Sequence, residues 1–253
     1  MNAPFSLTFI ERLIELLKPA ELWEELEAPD GGPYLPLVTA TTPAEPAGSV
    51  RLWRGRERTP LDRMVHMRLI AGPVETQLLF AFGRSDSTFP HLHAQVVQFP
   101  PDGCVYNMDL LPRLDPVDHP EWFERVFTEL RRPYRQATHS GEYSCAQAPA
   151  NPALAIYMSP WGIASGRTRV DELHAVAPQI EAYAQHYANL AHQDGWESMA
   201  PVALATRDQR HLELFFSDEL DPRAWNGVYK IIGEARGRLI KGLFKTPLRN
   251  PVT

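Results

Sequence analysis

The clearest pattern in the chain is a strict alternation of polar and apolar residues over residues 91–96. Side chains on an extended strand point to opposite faces in turn, so this alternation predicts a β-strand with one polar face and one apolar face. The polar face would carry His91, His93 and Gln95. Two imidazoles and an amide on one surface make this strand the first candidate for a chemical site.

The residues that follow predict a hairpin and then a helix. Residues 100–103 read Pro-Pro-Asp-Gly, a turn sequence, and the returning antiparallel strand, residues 104–111, carries Asp109 near its end. Pro120 suits the first turn of a helix. The apolar residues of this helix recur at helical spacing: Trp122, Phe123, Val126, Phe127 and Leu130. Asp115 or Asp118 could cap this helix.

Outside this unit, the chain divides into further strands and amphipathic helices. The predicted elements are a helix at about residues 8–17, an irregular Pro- and Gly-rich segment at about 28–48, a β-hairpin at 63–82, and helices at about 171–192 and 222–244. Thr8 and Glu11 have the spacing of a capping box for the first helix. Strands flanked by helices, without a repeating βαβ order, predict an α+β fold. No linker divides the chain, so we expect one domain over residues 1–253.

Composition narrows the class of protein. The net charge of -6 and pI of about 5.9 argue against nucleic-acid binding, and no apolar run approaches the roughly 20 residues of a membrane span. The N-terminus lacks a cationic secretory signal and contains acidic residues, so we expect a cytoplasmic protein. Cys104 and Cys145 have no metal-binding spacing, which predicts reduced thiols. The absence of GxGxxG, GxxxxGK[ST] and GxSxG disfavours dinucleotide-binding, P-loop and nucleophile-elbow enzymes.

Positive charge is nevertheless concentrated in three clusters. Their members are Arg51, Arg54, Arg56 and Arg58; Arg131, Arg132 and Arg135; and Arg236, Arg238, Lys241, Lys245 and Arg249. Such clusters are either solvated faces or, if they meet on one surface, a docking site that steers an acidic protein partner.

Two adjacent segments carry a family resemblance. MDLLPRLDPVDHPEWFERVF at residues 108–127, preceded by FPHLHAQ at residues 89–95, resembles the core of the red chlorophyll catabolite reductases, which belong with the ferredoxin-dependent bilin reductases. The resemblance extends in order over about residues 49–245. It implies a three-layer α-β-α sandwich with a central antiparallel sheet flanked by helices, present as a monomer or a homodimer.

The resemblance also implies an activity. Members of this family reduce a linear tetrapyrrole, a bilin or a chlorophyll catabolite, by coupled electron and proton transfer. Reduced ferredoxin is the external electron donor, and the protein binds no flavin, nicotinamide or metal of its own. We therefore expect ferredoxin and a conjugated small molecule as the partners of this chain.

Such a reduction needs proton donors, and imidazole and carboxyl groups are the side chains suited to that role near neutral pH. The candidates for catalysis are His66, His91, His93 and Asp109. The candidates for substrate binding or polarisation are Arg68, Gln95, Arg113, Asp115, Ser159, Trp161, Asp218 and Asp221. Of these, Arg113 could pair with a substrate carboxylate in a forked contact.

Structural roles are the alternative for the same residues. Asp109 and Arg113 could form an internal ion pair, and the histidines could be hydrogen-bonded groups of the core. The His91-x-His93 pair could also bind a metal, although the spacing supplies no third ligand.

Two residues depart from the family pattern. The family typically has a catalytic carboxylate where this chain has Gln95, and some bilin reductases have a glutamate near the position of Arg68. An amide forms hydrogen bonds but does not donate a proton in ordinary acid catalysis. Two further hypotheses therefore stay open, a ferredoxin-dependent reductase of another conjugated natural product and a nonenzymatic pigment-binding protein.

Overall fold

One eight-stranded antiparallel sheet forms the centre of the computed structural model, which describes residues 4–42, 45–139, 156–196, 204–220 and 222–248. Its strands are β1 Trp23–Leu26, β2 Leu35–Val38, β3 Pro46–Gly55, β4 Leu61–Ala71, β5 Val74–Gly83, β6 His91–Phe99, β7 Gly103–Leu111 and β8 Ile163–Arg169. The order across the sheet is β1-β3-β4-β5-β6-β7-β8, with β2 also pairing with β3. From β3 to β7, neighbours in the sheet are neighbours in sequence.

Helices cover both faces of this sheet. They are α1 Phe5–Leu17, α2 Pro120–Phe127, α3 Arg131–His139, α4 Val170–Ala191, α5 Leu204–Phe215, α6 Pro222–Ile232 and α7 Glu234–Lys245. One core joins one side of the sheet to the first four helices, and a second core joins the other side to the last three. We call these the α1–α4 face and the α5–α7 face. The α+β class and the three-layer sandwich are confirmed.

Strand alternation decides which residues enter each core. On β7, Cys104, Met108 and Leu110 lie in the core of the α1–α4 face, whereas Leu111 lies in that of the α5–α7 face. On β5, Phe80 likewise packs in the α5–α7 face. A one-residue shift of register would exchange these two sets, so burial on both faces fixes the pairing.

Both predicted helix caps are wrong. Helix α1 begins at Phe5 after Pro4, so Thr8 lies inside the helix and its hydroxyl donates to the Pro4 carbonyl. Helix α2 does begin at Pro120, but its preceding residue forms no capping bond through its side chain. Asp115 instead accepts a hydrogen bond from the backbone N–H of Val117, at 2.8 Å, within the loop.

Other boundaries also differ from those predicted. The segment at 28–48 is not irregular throughout, because it contains β2 and the start of β3. The predicted helix at 222–244 is two helices, since Gly233 separates α6 from α7 with φ 85° and ψ 152°. The hairpin at 63–82 is confirmed, with β4 and β5 joined at Gly72.

Two of the four arginines of the first basic cluster are paired with acidic side chains. Arg51 contacts Glu11 and Glu25, and Arg54 faces Glu24 at 3.9 Å. These contacts favour a solvated, internally paired face for this cluster. No helix among the described residues is long and apolar enough to cross a membrane.

The break at Gly233 generates a stability prediction. Its backbone lies in a region that is almost restricted to glycine, so Gly233→Ala should lower the free energy of unfolding by about 1–3 kcal/mol. Gly242, inside α7 with open space where a Cβ would lie, is the matched control. Gly242→Ala should raise that free energy by about 0.5–1 kcal/mol. Urea unfolding measures both changes. If the two substitutions shift the free energy of unfolding in the same direction, Gly233 is not the residue that the break between α6 and α7 requires.

Candidate active site

Three of the predicted site residues lie on one face of the sheet. In the β6–β7 pairing, His93 is directly opposite Asp109, and His91 is opposite Leu111. Residues opposite one another in an antiparallel pair point to the same face. The packing of Leu111 shows that this is the α5–α7 face. The structure therefore brings His91, His93 and Asp109 to the same side.

His93 is held in place by aromatic rings and one hydrogen bond. Its ring stacks on Phe80 with 4.3 Å between centroids and meets the edge of Phe215 at 5.5 Å. Its Nδ1 lies 2.7 Å from Nδ2 of Asn107, and its Nε2 has no hydrogen-bond partner within the described part of the chain. Burial lowers the pKa of His93 to about 3, so the ring is neutral. With Asn107 donating to Nδ1, the proton is on Nε2, which can donate to a ligand.

An apolar pocket of about 330 Å³ opens beside His93. Its walls come from β4, β5 and β6, from the end of α5 and from α6. Its lining residues include Phe80, His93, Gln95, Phe215, Arg223, Trp225 and Gly227. Apolar walls with a few polar groups are typical of pockets for flat organic ligands. Among the described lining residues there is no carboxylate.

Asp109 is a buried carboxyl group beside the connection that leads into β8. The backbone N–H of Ser159 donates to one carboxyl oxygen at 2.7 Å, and the Ser159 hydroxyl donates to the other at 2.5 Å. Burial raises the pKa of Asp109 to about 7, in opposition to these hydrogen bonds. The group can therefore hold or release a proton near neutral pH. The suggested ion pair between Asp109 and Arg113 is wrong, because Arg113 pairs with Asp208.

His91 belongs to a buried charged cluster rather than to the pocket lining. Its Nδ1 accepts from the backbone N–H of Gly83 at 3.0 Å, and its Nε2 donates to Asp208 at 2.8 Å. Arg113 contacts both oxygens of the same carboxylate. Burial opposes ionisation of Asp208, but the charge of Arg113 and the hydrogen bonds from His91 and Arg113 outweigh it and hold the pKa of Asp208 below its ordinary value. Neither nitrogen of His91 is left for a ligand.

His66 and Arg68 lie on the opposite face of the sheet. His66 pairs with Leu79, which packs in the α1–α4 face, and its Nε2 lies 2.7 Å from the Gln77 side chain. Burial lowers the pKa of His66 to about 4. Arg68 forms an ion pair with Glu75 at 3.0 Å. The structure therefore does not bring these two residues together with His93.

The remaining predicted residues are dispersed. Asp115 is on an exposed loop, and Trp161 stacks on Phe127 in the α1–α4 face. Asp218 is exposed on the outer side of α6 and α7, where it pairs with Lys241. Asp221 lies outside the described residues, as does Cys145. No group of three or more His, Cys, Asp or Glu side chains in the described ranges could hold a metal ion.

Comparisons with known proteins show what the chain is similar to in sequence and in fold. Over 84 residues the chain is 31% identical to red chlorophyll catabolite reductase 1, chloroplastic, from Oryza sativa subsp. japonica; the match covers 32% of this chain and 26% of the rice protein. The fold matches that of SeMet-phytochromobilin synthase from tomato in complex with biliverdin, with a TM-score of 0.72 and 13% sequence identity. The match covers 94% of this chain and 82% of the tomato chain. The predicted family resemblance is confirmed. No protein-family model matches the chain.

These comparisons support different statements. At 13% identity, the likeness to the tomato synthase shows a shared fold. The sequence match to the rice reductase spans only about a quarter of that protein. The two matches therefore show similarity in part of the sequence and in the fold.

Sequence reasoning missed several residues of this face, notably Asn107, Asp208, Phe215 and Trp225. The signal for α5 was present, because Leu204, Asp208, Leu212 and Phe215 recur at helical spacing. A carboxylate on an otherwise apolar stripe needs a buried partner. The partner, Arg113, could not be identified from spacing because it is 95 residues away.

The raised pKa of Asp109 gives a prediction of pH dependence. The folded carboxyl keeps its proton up to about pH 7, whereas the unfolded one loses it near 3.8, so the contribution of Asp109 to wild-type stability should fall between these pH values by about 2–4 kcal/mol. Asp109→Asn removes this titration. The melting temperature of the variant relative to wild type should therefore rise from pH 4 to pH 8, measured by circular dichroism.

The control for this experiment is Asp115→Asn, which changes a carboxylate on an exposed loop. Its melting temperature relative to wild type should vary little over the same range. A flat or falling difference for Asp109→Asn would show that Asp109 is already ionised when buried.

Proposed function

We propose that the chain is a ferredoxin-dependent reductase that reduces a linear tetrapyrrole by coupled electron and proton transfer. The observation that carries the proposal is the unpartnered Nε2 of His93 at the wall of an apolar pocket, directly opposite Asp109 in the sheet. The sequence match to a red chlorophyll catabolite reductase and the fold shared with a bilin-bound synthase support it.

The pocket suits a flat conjugated ligand. Phe80, Phe215, Phe216 and Trp225 provide aromatic surfaces for stacking, which favours a planar π-system over a flexible chain. The Nε2–H of His93 would donate to a ring carbonyl, and the Gln95 amide would form an orienting hydrogen bond. Both groups lie on one side of β6, so they would contact the same edge of the ligand.

Arg223, and not Arg113, is the residue proposed to pair with a substrate carboxylate. The guanidinium of Arg113 is buried against Asp208 and backbone carbonyls, so it is not available to a substrate carboxylate. Arg223 lines the pocket from the exposed first turn of α6. It is the positively charged group there that could pair with an acidic side chain of the tetrapyrrole.

Reduction of one double bond consumes two electrons and two protons. In the proposed reaction, reduced ferredoxin supplies the electrons one at a time, and the ligand accepts them directly. Asp109 lies opposite His93 in the sheet but outside the described pocket lining, so it supplies a proton through a bridging water; its raised pKa allows the carboxyl group to be protonated near neutral pH. Solvent supplies the other proton and reprotonates Asp109. The neutral His93 polarises the ligand carbonyl and is not the acid.

Cofactors, protein partner, location and oligomeric state belong to the same proposal. We propose that the protein holds no flavin, nicotinamide or metal, that ferredoxin is its protein partner, and that it acts in the cytoplasm as a monomer or homodimer. An absorbance spectrum and elemental analysis of the purified protein test the first point, and a bound flavin or stoichiometric metal would contradict it.

One observation favours a second candidate. The described pocket lining has the Gln95 amide and no carboxylate, so the ligand contacts differ from those expected of the family. A related reductase acting on another conjugated natural product, or a pigment-binding protein without turnover, would be compatible with that lining. Tetrapyrrole binding without reduction would favour the pigment-binding protein, and no tetrapyrrole binding would favour the other substrate.

The direct experiment is anaerobic incubation with reduced ferredoxin and a panel of linear tetrapyrroles that includes biliverdin and a red chlorophyll catabolite. Loss of the ligand's long-wavelength absorbance at a catalytic rate is the expected result. Asp109→Asn should lower kcat by about a hundredfold or more with little change in binding. Binding and turnover unchanged in that variant would remove Asp109 from the mechanism.

The location of the ligand can be tested with two glycines. Gly227 lies in the pocket wall on α6, whereas Gly242 lies on α7 outside it, and a Cβ at either position would meet open space. Gly227→Leu should therefore leave the fold intact and weaken biliverdin binding by about tenfold or more, measured by absorbance titration. Gly242→Leu should bind as wild type does. Equal affinities in both variants would place the ligand elsewhere.

Gln95 supplies the test of substrate assignment. Gln95→Ala should lower activity only modestly, since an orienting hydrogen bond contributes about 0.5–1.5 kcal/mol. Gln95→Glu restores the carboxylate typical of the family and should create or raise activity toward a bilin or chlorophyll catabolite. If neither the native chain nor Gln95→Glu binds or reduces any linear tetrapyrrole, the tetrapyrrole assignment fails.

A further inference from the structure

Asp208 is the buried carboxylate through which α5 contacts the strand that carries His93. Asp208 is 8% exposed. Its partners are His91 at the beginning of β6 and Arg113 in the segment after β7. The buried residues of α5 are Leu204, Asp208, Leu212 and Phe215. Asp208 is the one charged residue among these four, so its ion pair adds a polar attachment to the apolar contacts of the helix.

The hydrogen bonds of His91 fix its tautomer within this cluster. Because Nδ1 accepts from the Gly83 N–H, the ring proton must be on Nε2, where it is donated to Asp208. A residue with both nitrogens occupied in the fold cannot exchange protons with a ligand without breaking one of these bonds. His91 therefore fixes a position, in contrast to His93 two residues later.

Arg113 extends the cluster into the surrounding backbone. Besides Asp208, its guanidinium donates to the carbonyls of Arg84, Ser87 and Phe89. Its own carbonyl accepts from the guanidinium of Arg207, the residue before Asp208. Helix α5 is therefore attached to the chain segments around β6 and β7 at two successive residues.

The same helix forms part of the pocket wall. Phe215 follows Asp208 by seven residues, so the two side chains lie on the same side of α5, two turns apart. Phe215 meets the edge of the His93 ring and lines the pocket. A displacement of α5 would consequently change both the pocket wall and the surroundings of His93.

We propose that Asp208 is a positioning residue of the tetrapyrrole site, which holds α5 against the start of β6 so that Phe215 closes the pocket beside His93. The inference rests on the proposed function for its ligand. Asp208 does not line the pocket, so it acts through Phe215 and His91.

The first measurement needs no ligand. Asp208→Asn places an amide N–H₂ against the guanidinium of Arg113, so α5 should loosen. Hydrogen exchange of the α5 amides should accelerate by roughly tenfold, with α6, α7 and the sheet unchanged. Glu213→Gln makes the same charge change on the exposed side of the same helix and should leave exchange as in wild type. Unchanged α5 exchange in Asp208→Asn, or uniform acceleration across the whole chain, would overturn the inference.

The second measurement uses biliverdin, well below the melting temperature of each variant. Asp208→Asn should weaken biliverdin binding by about tenfold and broaden the absorption band of the bound ligand, because the wall is no longer fixed. A lower kcat with unchanged affinity and band would make Asp208 a participant in the chemistry and would contradict positioning. If wild type binds no linear tetrapyrrole of the panel, the proposed function fails, and the exchange measurement still decides whether Asp208 holds α5.

Two further variants keep the test decisive if Asp208→Asn does not fold. Asp208→Glu retains the charge but lengthens the side chain by one methylene, so it should displace α5 and broaden the biliverdin band to a smaller extent. Phe215→Leu leaves the ion pair intact and should weaken biliverdin binding without accelerating α5 exchange. A wild-type band and affinity in both variants would contradict the proposal.

Discussion

The register between β6 and β7 is the constraint on which the candidate site depends. It sets His93 opposite Asp109 and turns both toward the α5–α7 face. The register is fixed because both faces of the sheet are covered, so a shift by one residue would bury polar side chains in the apolar core of the other face. Leu92, Ala94 and Val96 of β6 pack in the core of the α1–α4 face, beneath α1 and α4. This packing turns the polar side chains of β6 toward the α5–α7 face.

Burial then divides the polar groups into two kinds. Most have partners in the protein: His91 with Asp208 and His66 with Gln77. Such pairs offset the cost of removing the groups from water and hold the structure in one arrangement. His93 differs, since one of its nitrogens lacks a partner in the described structure and lies at a pocket. An unsatisfied buried donor beside an apolar cavity is what a ligand with a carbonyl group would complete.

The sequence was sufficient for local features. Period-two alternation identified β6 and the face shared by its histidines, and turn residues identified the hairpins on either side. It was not sufficient for His66, because β4 is covered on both faces and alternation cannot tell which face binds a ligand. Nor could it reveal Asp208, since the contact with His91 spans 117 residues and depends on the packing of α5. The break at Gly233 was missed because apolar spacing continues through it.

The most direct test of the account is a nitrogen NMR titration of the histidine side chains with biliverdin. If the pocket beside His93 is the ligand site, the Nε2 resonance of His93 should shift on binding as it gains an acceptor. The resonances of His66, on the opposite face, should stay where they are. A shift of His66 with His93 unchanged would place the ligand on the α1–α4 face and contradict the account.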